Sequence, residues 1–332
     1  MSDIKLGLTS LSNIKFGNNQ VSSVYLGTNL VWSSYSYILD LYPTAHHAYS
    51  LRKLRSAYTG KCLRVRRTTT TPSVTTTTID VSFNSLNTIG LDSAITYVSG
   101  TATTAINLGQ FCASIVNGYS NPDLVNINQD IFISTWFDQS GNSKDVTSTT
   151  TTQQPRIVLG GNLETKDGKV AVRFIRANST RLNLIDTSMN INNLSQYIVT
   201  SLISPYTQSI ISAFRFLSVL WWLPSNTSTN TYINYNVSNS TPANGFLSQA
   251  NDSINRVYSI VAGATIATAY KNTTSIGTKA SVSIASQHIA LGWSGNNSFP
   301  NPLDGYIQES ITWQNQLYVS QIQSNIITYY GI

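Results

Sequence analysis

Residues 131–147 read IFISTWFDQSGNSKDVT, and the way this stretch divides decides the fold. Its first half is β-branched and aromatic, the composition of a strand. Its second half, Asp-Gln-Ser-Gly-Asn from Asp138, is turn chemistry: the Asp side chain accepts backbone N–H groups, and Gly141 supplies a positive φ. Working outward, QPRIV follows at Gln154, and GKVAVRF from Gly168 reads as another alternating strand. Upstream, Leu63 and Val65 alternate with Arg64 and Arg66 in KCLRVRR, which predicts another strand with one solvated face. The stretch AYSLRKLRSAYTG, 48–60, places Leu51, Leu54 and Tyr58 on one side of a helix, with Gly60 as its C-cap. The Thr-rich tracts at 68–78 and 149–152 read as exposed loops.

Composition agrees with an all-β chain. Of 332 residues, 41% are apolar and only 10% charged, against ~25% in ordinary soluble domains. Ser, Thr and Asn fill the difference, and 18 tyrosines add to the strand formers. The net charge of +6 arises from having only 14 acidic residues against 20 basic ones. A nucleic-acid partner is therefore not expected, although Arg52, Lys53, Arg55, Lys61, Arg64, Arg66 and Arg67 fall in one stretch. Cys62 and Cys112 lack metal-type spacing, three histidines are too few for a cluster, and the carboxylates are too dispersed for calcium. No metal or other cofactor is expected. The start MSDIKLGLTS lacks the pattern of a signal peptide, and no run of about 18 apolar residues occurs, so neither export nor membrane spanning is expected.

Written in tens from Ile4, the chain runs IKLGLTSLSN, IKFGNNQVSS, VYLGTNLVWS, with Gly7, Gly17 and Gly27 in phase. Each unit reads as strand, turn and strand; the second carries Phe16 and the third Tyr25 and Trp32. Segments below ~40 residues rarely bury a core alone, so residues 1–34 are expected to oligomerise and dock as a small β-repeat collar. Residues 35–332 form the main domain. The repeat resembles short segments at the N-termini of phage tail and fibre proteins. That resemblance implies a virion anchor, commonly trimeric, made in the host cytoplasm.

AYSLRKLRSAYTGKCLRVRR, FCASIV, TWFDQSGN, QPRIV and KVAVRF occur in the same order in a concanavalin A-like domain of phage structural and bacterial surface proteins. This domain is similar to the catalytic domain of α-L-arabinofuranosidase B. The C-terminal LDGYIQESITWQNQLYVSQIQSNIITYYGI resembles the closing strand and short helix of laminin G-like sandwiches. The resemblance implies a β-sandwich of jelly-roll type with a few short helices; residues 185–295 carry no matching motif. It also implies where hydrolysis would reside, and that machinery is missing. A retaining glycosidase needs two carboxyl groups ~5–5.5 Å apart. The only glutamates are Glu164 and Glu309, no acid lies between Asp186 and Asp252, and the family's Asp-x-Glu with Asn-Gly and its adjacent cysteine pair are both absent. Glu309 alternates with Ile307 and Ile311, and is expected to face solvent or to pair with an arginine.

Without hydrolysis, binding remains. Aromatic faces with amide and hydroxyl neighbours suit sugars. The candidates are Trp221, Trp222, Tyr232, Tyr235 and Trp293 on a concave sheet face, with Asp138 and Gln139 as polar candidates although turn chemistry accounts for Asp138. The expected protein is a trimeric virion appendage of head or tail that contacts other virion proteins through its repeats and a host surface glycan through its sandwich. An arabinofuranosidase-type hydrolase and a bacterial adhesin are the alternatives, the second disfavoured by the missing signal peptide.

Overall fold

A computed structural model describes residues 37–69, 75–100, 105–113, 130–186, 188–189, 193–203, 254–280, 288–293, 302–314 and 320–332, together with short strands elsewhere whose backbone alone is described. In the N-terminal repeats those strands form three separate antiparallel hairpins: Lys5–Leu6 with Thr9–Ser10, Lys15–Phe16 with Asn19–Gln20, and Ser23–Leu26 with Asn29–Ser33. Gly7, Gly17 and Gly27, and the side chains of Phe16, Tyr25 and Trp32, lie outside the described residues.

The main domain is two antiparallel sheets packed face to face. The first runs Ile95–Gly100, Thr75–Val81, Leu63–Thr69, Ile131–Trp136, Val146–Thr147, Leu182–Ile185, His288–Leu291, Ser212–Arg215, Val219–Trp222. In the second, Gly305–Gln314 is flanked on one edge by Leu194–Leu202, followed by Arg256–Ala262, Ile266–Lys271 and Thr274–Ala280. Its other edge takes Ala45–Ser50 along residues 309–313 and Val172–Phe174 along 305–307. Arg156–Leu159 pairs with strands of both sheets and joins them along one side.

Period-2 alternation sorts the side chains. Val65, Ile79, Ile133 and Trp136 from the first sheet meet Leu194, Ile198, Ile260 and Ile307 from the second in the main core. The outward residues of the second sheet are also covered. Tyr197, Val199, Val257, Ile311 and Trp313 pack under the helix Ser320–Tyr330 and the short helix Ile38–Leu41.

Two expectations are corrected. Residues 48–60 do not form a helix: Ala45–Ser50 is a strand, and a turn-rich loop follows. The backbone groups that a helix would use internally are taken by Gln139, whose amide donates to the Ser50 and Arg52 carbonyls and accepts from Leu54 N–H. The tract at 68–78 is not simply a loop. Thr68 and Thr69 pair with Thr76 and Thr75, extending a hairpin, because β-branched threonines fit a pleated edge as well as a turn.

Candidate functional site

The solvated face of the Leu63–Thr69 strand carries Arg64 and Arg66, since Leu63 and Val65 are buried. Register sets Arg66 opposite Phe132 on the neighbouring strand, and its guanidinium carbon lies 5.0 Å from the Phe132 ring centre. Three donors of that guanidinium are used. Nε donates to Gln154 Oε1, Nη1 to Thr68 Oγ1 at 3.0 Å, and Nη2 to the Thr151 carbonyl at 2.5 Å. Gln154 is itself fixed by donating to the Ser148 carbonyl at 2.8 Å. The turn Thr151–Gln153 is thereby held above the strand. Opposite it stands Asn178, at the end of the short helix Arg176–Asn178, which stops where Ser179 takes a left-handed conformation.

Arg66, Phe132, Thr151, Thr152 and Asn178 together line a shallow cleft of about 240 Å³. An aromatic face, two threonines, an amide and a guanidinium are the materials of a sugar site, one apolar wall with a few directional polar groups. Burial lowers the Arg66 pKa, and no neighbouring charge offsets it.

Two other polar clusters hold the scaffold. Asp138 Oδ1 accepts the N–H groups of Ala48 and Ser140, while Oδ2 accepts Ser140 Oγ and Lys144 N–H. Beside it, Asp186 Oδ2 lies 2.8 Å from His46 Nε2 and 2.9 Å from Lys144 Nζ, and Oδ1 accepts from Ser188 N–H and Oγ. Burial alone would raise the Asp186 carboxyl, but hydrogen bonds from Ser188, Lys144 and His46 outweigh it and hold the group far below the usual carboxylate range. On the far side of the second sheet, Glu309 is buried and takes Arg52 Nε and Nη2 at 2.8 and 2.9 Å, with Ser50 Oγ at 2.7 Å. Of the two expectations for Glu309, solvent and arginine, the arginine is the one realised.

Of the binding residues expected from the sequence, the described ones, Asp138, Gln139 and Trp293, are engaged within the scaffold. Gln139 is fully buried and Asp138 nearly so, with their oxygens engaged by backbone and Ser140, so neither presents a free oxygen to a ligand. Trp293 is 8% exposed, its ring covered by the Arg181 guanidinium at 4.0 Å, and is not part of an open aromatic platform. The side chains of Trp221, Trp222 and Tyr232, and all of Tyr235, lie outside the described residues. The cleft itself was missed. Arg66 read only as one solvated position of an alternating strand, and its meeting with Phe132 depends on a cross-strand register that linear spacing does not show.

No family model matches the chain, and no curated protein matches it. Solved structures do. A GH54 α-L-arabinofuranosidase mutant soaked with 4-nitrophenyl α-L-arabinofuranoside superposes with a TM-score of 0.55 at 16% identity, covering 88% of this chain and 63% of that one. The arabinofuranosidase complexed with arabinofuranosyl-α-1,2-xylobiose gives a TM-score of 0.54 at the same identity and coverage. The chain thus matches less than two thirds of the length of these enzymes. At this identity the likeness shows a shared fold, and the main domain is an all-β sandwich of the kind seen in GH54 arabinofuranosidase.

Proposed function

We propose that the chain is a glycan-binding appendage that holds sugar without cleaving it, clustered through its N-terminal hairpins, and that it serves on a phage virion. The observation carrying this reading is the state of the carboxylates. Glu309 is closed by Arg52, Glu164 by Arg156, Asp304 by Arg173, Asp80 by Arg64 and Asp186 by His46 with Lys144. Asp138 and Asp145 are neighbours, yet Asp145 Oδ1 accepts the Asp138 N–H and the Asp138 carboxylate is filled by its own turn. Among the described residues no two carboxyl groups face each other across the cleft, as a retaining glycosidase needs. What the cleft offers is a ring face and fixed donors, the requirements of binding.

Three hairpins of a few residues each cannot supply a core, so association with copies is the physical reason for the repeat. A trimer would multiply weak single-site contacts through effective concentration. The virion placement is supported by the resemblance of the repeat to phage fibre segments. Incubating the full-length protein with arabinofuranosides and with an immobilised glycan array tests the reading. Retention on glycans with no released sugar is expected; turnover abolished by one Asp or Glu substitution would overturn it.

A further inference from the structure

Four guanidiniums of this fold meet carboxylates: Arg52 with Glu309, Arg64 with Asp80, Arg156 with Glu164 and Arg173 with Asp304. Arg66 does not. Its three partners are an amide oxygen, a hydroxyl and a backbone carbonyl, all neutral. Arg181 belongs to the same surroundings, because its N–H donates to the carbonyl of Gln153 in the turn that forms the cleft wall. Among the described residues it too has no carboxylate within ion-pairing distance, and its charge lies over Trp293. At the cleft, then, a guanidinium is held by neutral partners alone, as Arg55 and Arg67 are elsewhere among the described residues, but here it lines an open cavity.

Geometry narrows the ligand further. A guanidinium carries five N–H groups, and Arg66 uses one on each of its three nitrogens, so one N–H remains on each terminal nitrogen. Two N–H groups in a fixed plane match the two oxygens of a carboxylate or sulfate better than they match a sugar hydroxyl. Thr151, Thr152 and Asn178 supply neutral donors and acceptors around that point, and Phe132 supplies a face for the ring. Partial burial of Arg66 keeps the interaction from being fully screened by solvent.

We propose that the Arg66–Phe132 cleft takes an anionic sugar residue, one bearing a carboxylate or a sulfate, with Arg66 receiving the anion and Phe132 the ring. This rests on the glycan-binding reading above and specifies its ligand.

The test is calorimetric titration of the full-length protein with uronide oligosaccharides, sulfated oligosaccharides, neutral arabino- and xylo-oligosaccharides, and single-stranded DNA of matched charge. An acidic series is expected to bind at least about tenfold tighter than the neutral ones, the scale of a charge-assisted bond. Which acidic series binds identifies the anion. Arg66→Gln should abolish the preference, Arg66→Lys should keep part of it, and Lys271→Gln, on the other sheet, should leave it intact. Equal binding of acidic and neutral sugars by the wild type overturns the inference while leaving glycan binding in place, and needs no variant to fold. DNA binding as tight as the acidic sugars, weakened equally by Lys271→Gln, also overturns it by showing general cation attraction. Failure to bind any sugar removes both readings.

Discussion

Arg52 and Glu309 are 5% and 0% exposed in their side chains and make two direct hydrogen bonds, under the rings of Tyr329 and Tyr330. Two charges removed from water are costly, and the loss of one leaves the other uncompensated. Arg52→Met or Glu309→Leu alone should destabilise the domain by about 3–5 kcal/mol, whereas the double variant should recover much of that loss. Urea midpoints of the three variants check this; single variants with the wild-type midpoint would contradict it. Asp186 gives a pH-dependent counterpart. Its folded pKa lies below the unfolded value of about 3.9, so its contribution is fully present above that pH and is lost as pH falls toward the folded value. The stability gap between the wild type and Asp186→Asn should therefore shrink between neutral pH and about pH 3. Denaturation midpoints at the two pH values measure it, and a gap that widened on acidification would reverse the sign argued here.

The elements are held by local fits that read unequally well in the sequence. Ile131–Trp136, Leu63–Thr69 and Val172–Phe174 were legible because alternation and turn residues report directly on pleating. The stretch 48–60 was not, because its Leu51 and Leu54 spacing suits a helix face equally well, and Gln139, 85 residues from Leu54, decides the outcome. Glu309 was legible only as a pair of options, since its arginine lies 257 residues away. The cleft was invisible for the same reason, register being a property of two strands and not of either alone. Gly292 marks a close approach between elements: its φ is +76°, and a Cβ there would overlap the Phe174 ring in the core. Gly292→Ala should cost about 1–3 kcal/mol by overpacking and backbone strain together. Thermal unfolding reads this directly, and an unchanged midpoint would show that the Phe174 contact relaxes without cost.

At the scale of the whole molecule, the sandwich covers the second face of its second sheet with helices, while Arg64 and Arg66 on the outer face of the first sheet are partly exposed among the described residues. The hairpins of the first 33 residues are built from strands of two to five residues, too short a segment to bury a core alone, which is why the proposed function requires copies to associate. Sedimentation velocity of the full-length chain should show a trimer at micromolar concentration; a well-folded monomer would remove the collar from the account. The central claim, attachment without chemistry, is reached most directly by mixing the full-length protein with a panel of glycans and following the bound and the released sugar in the same sample. The account predicts saturable retention with every oligosaccharide recovered intact. Release of a monosaccharide that ends when a single carboxylate is replaced would contradict it.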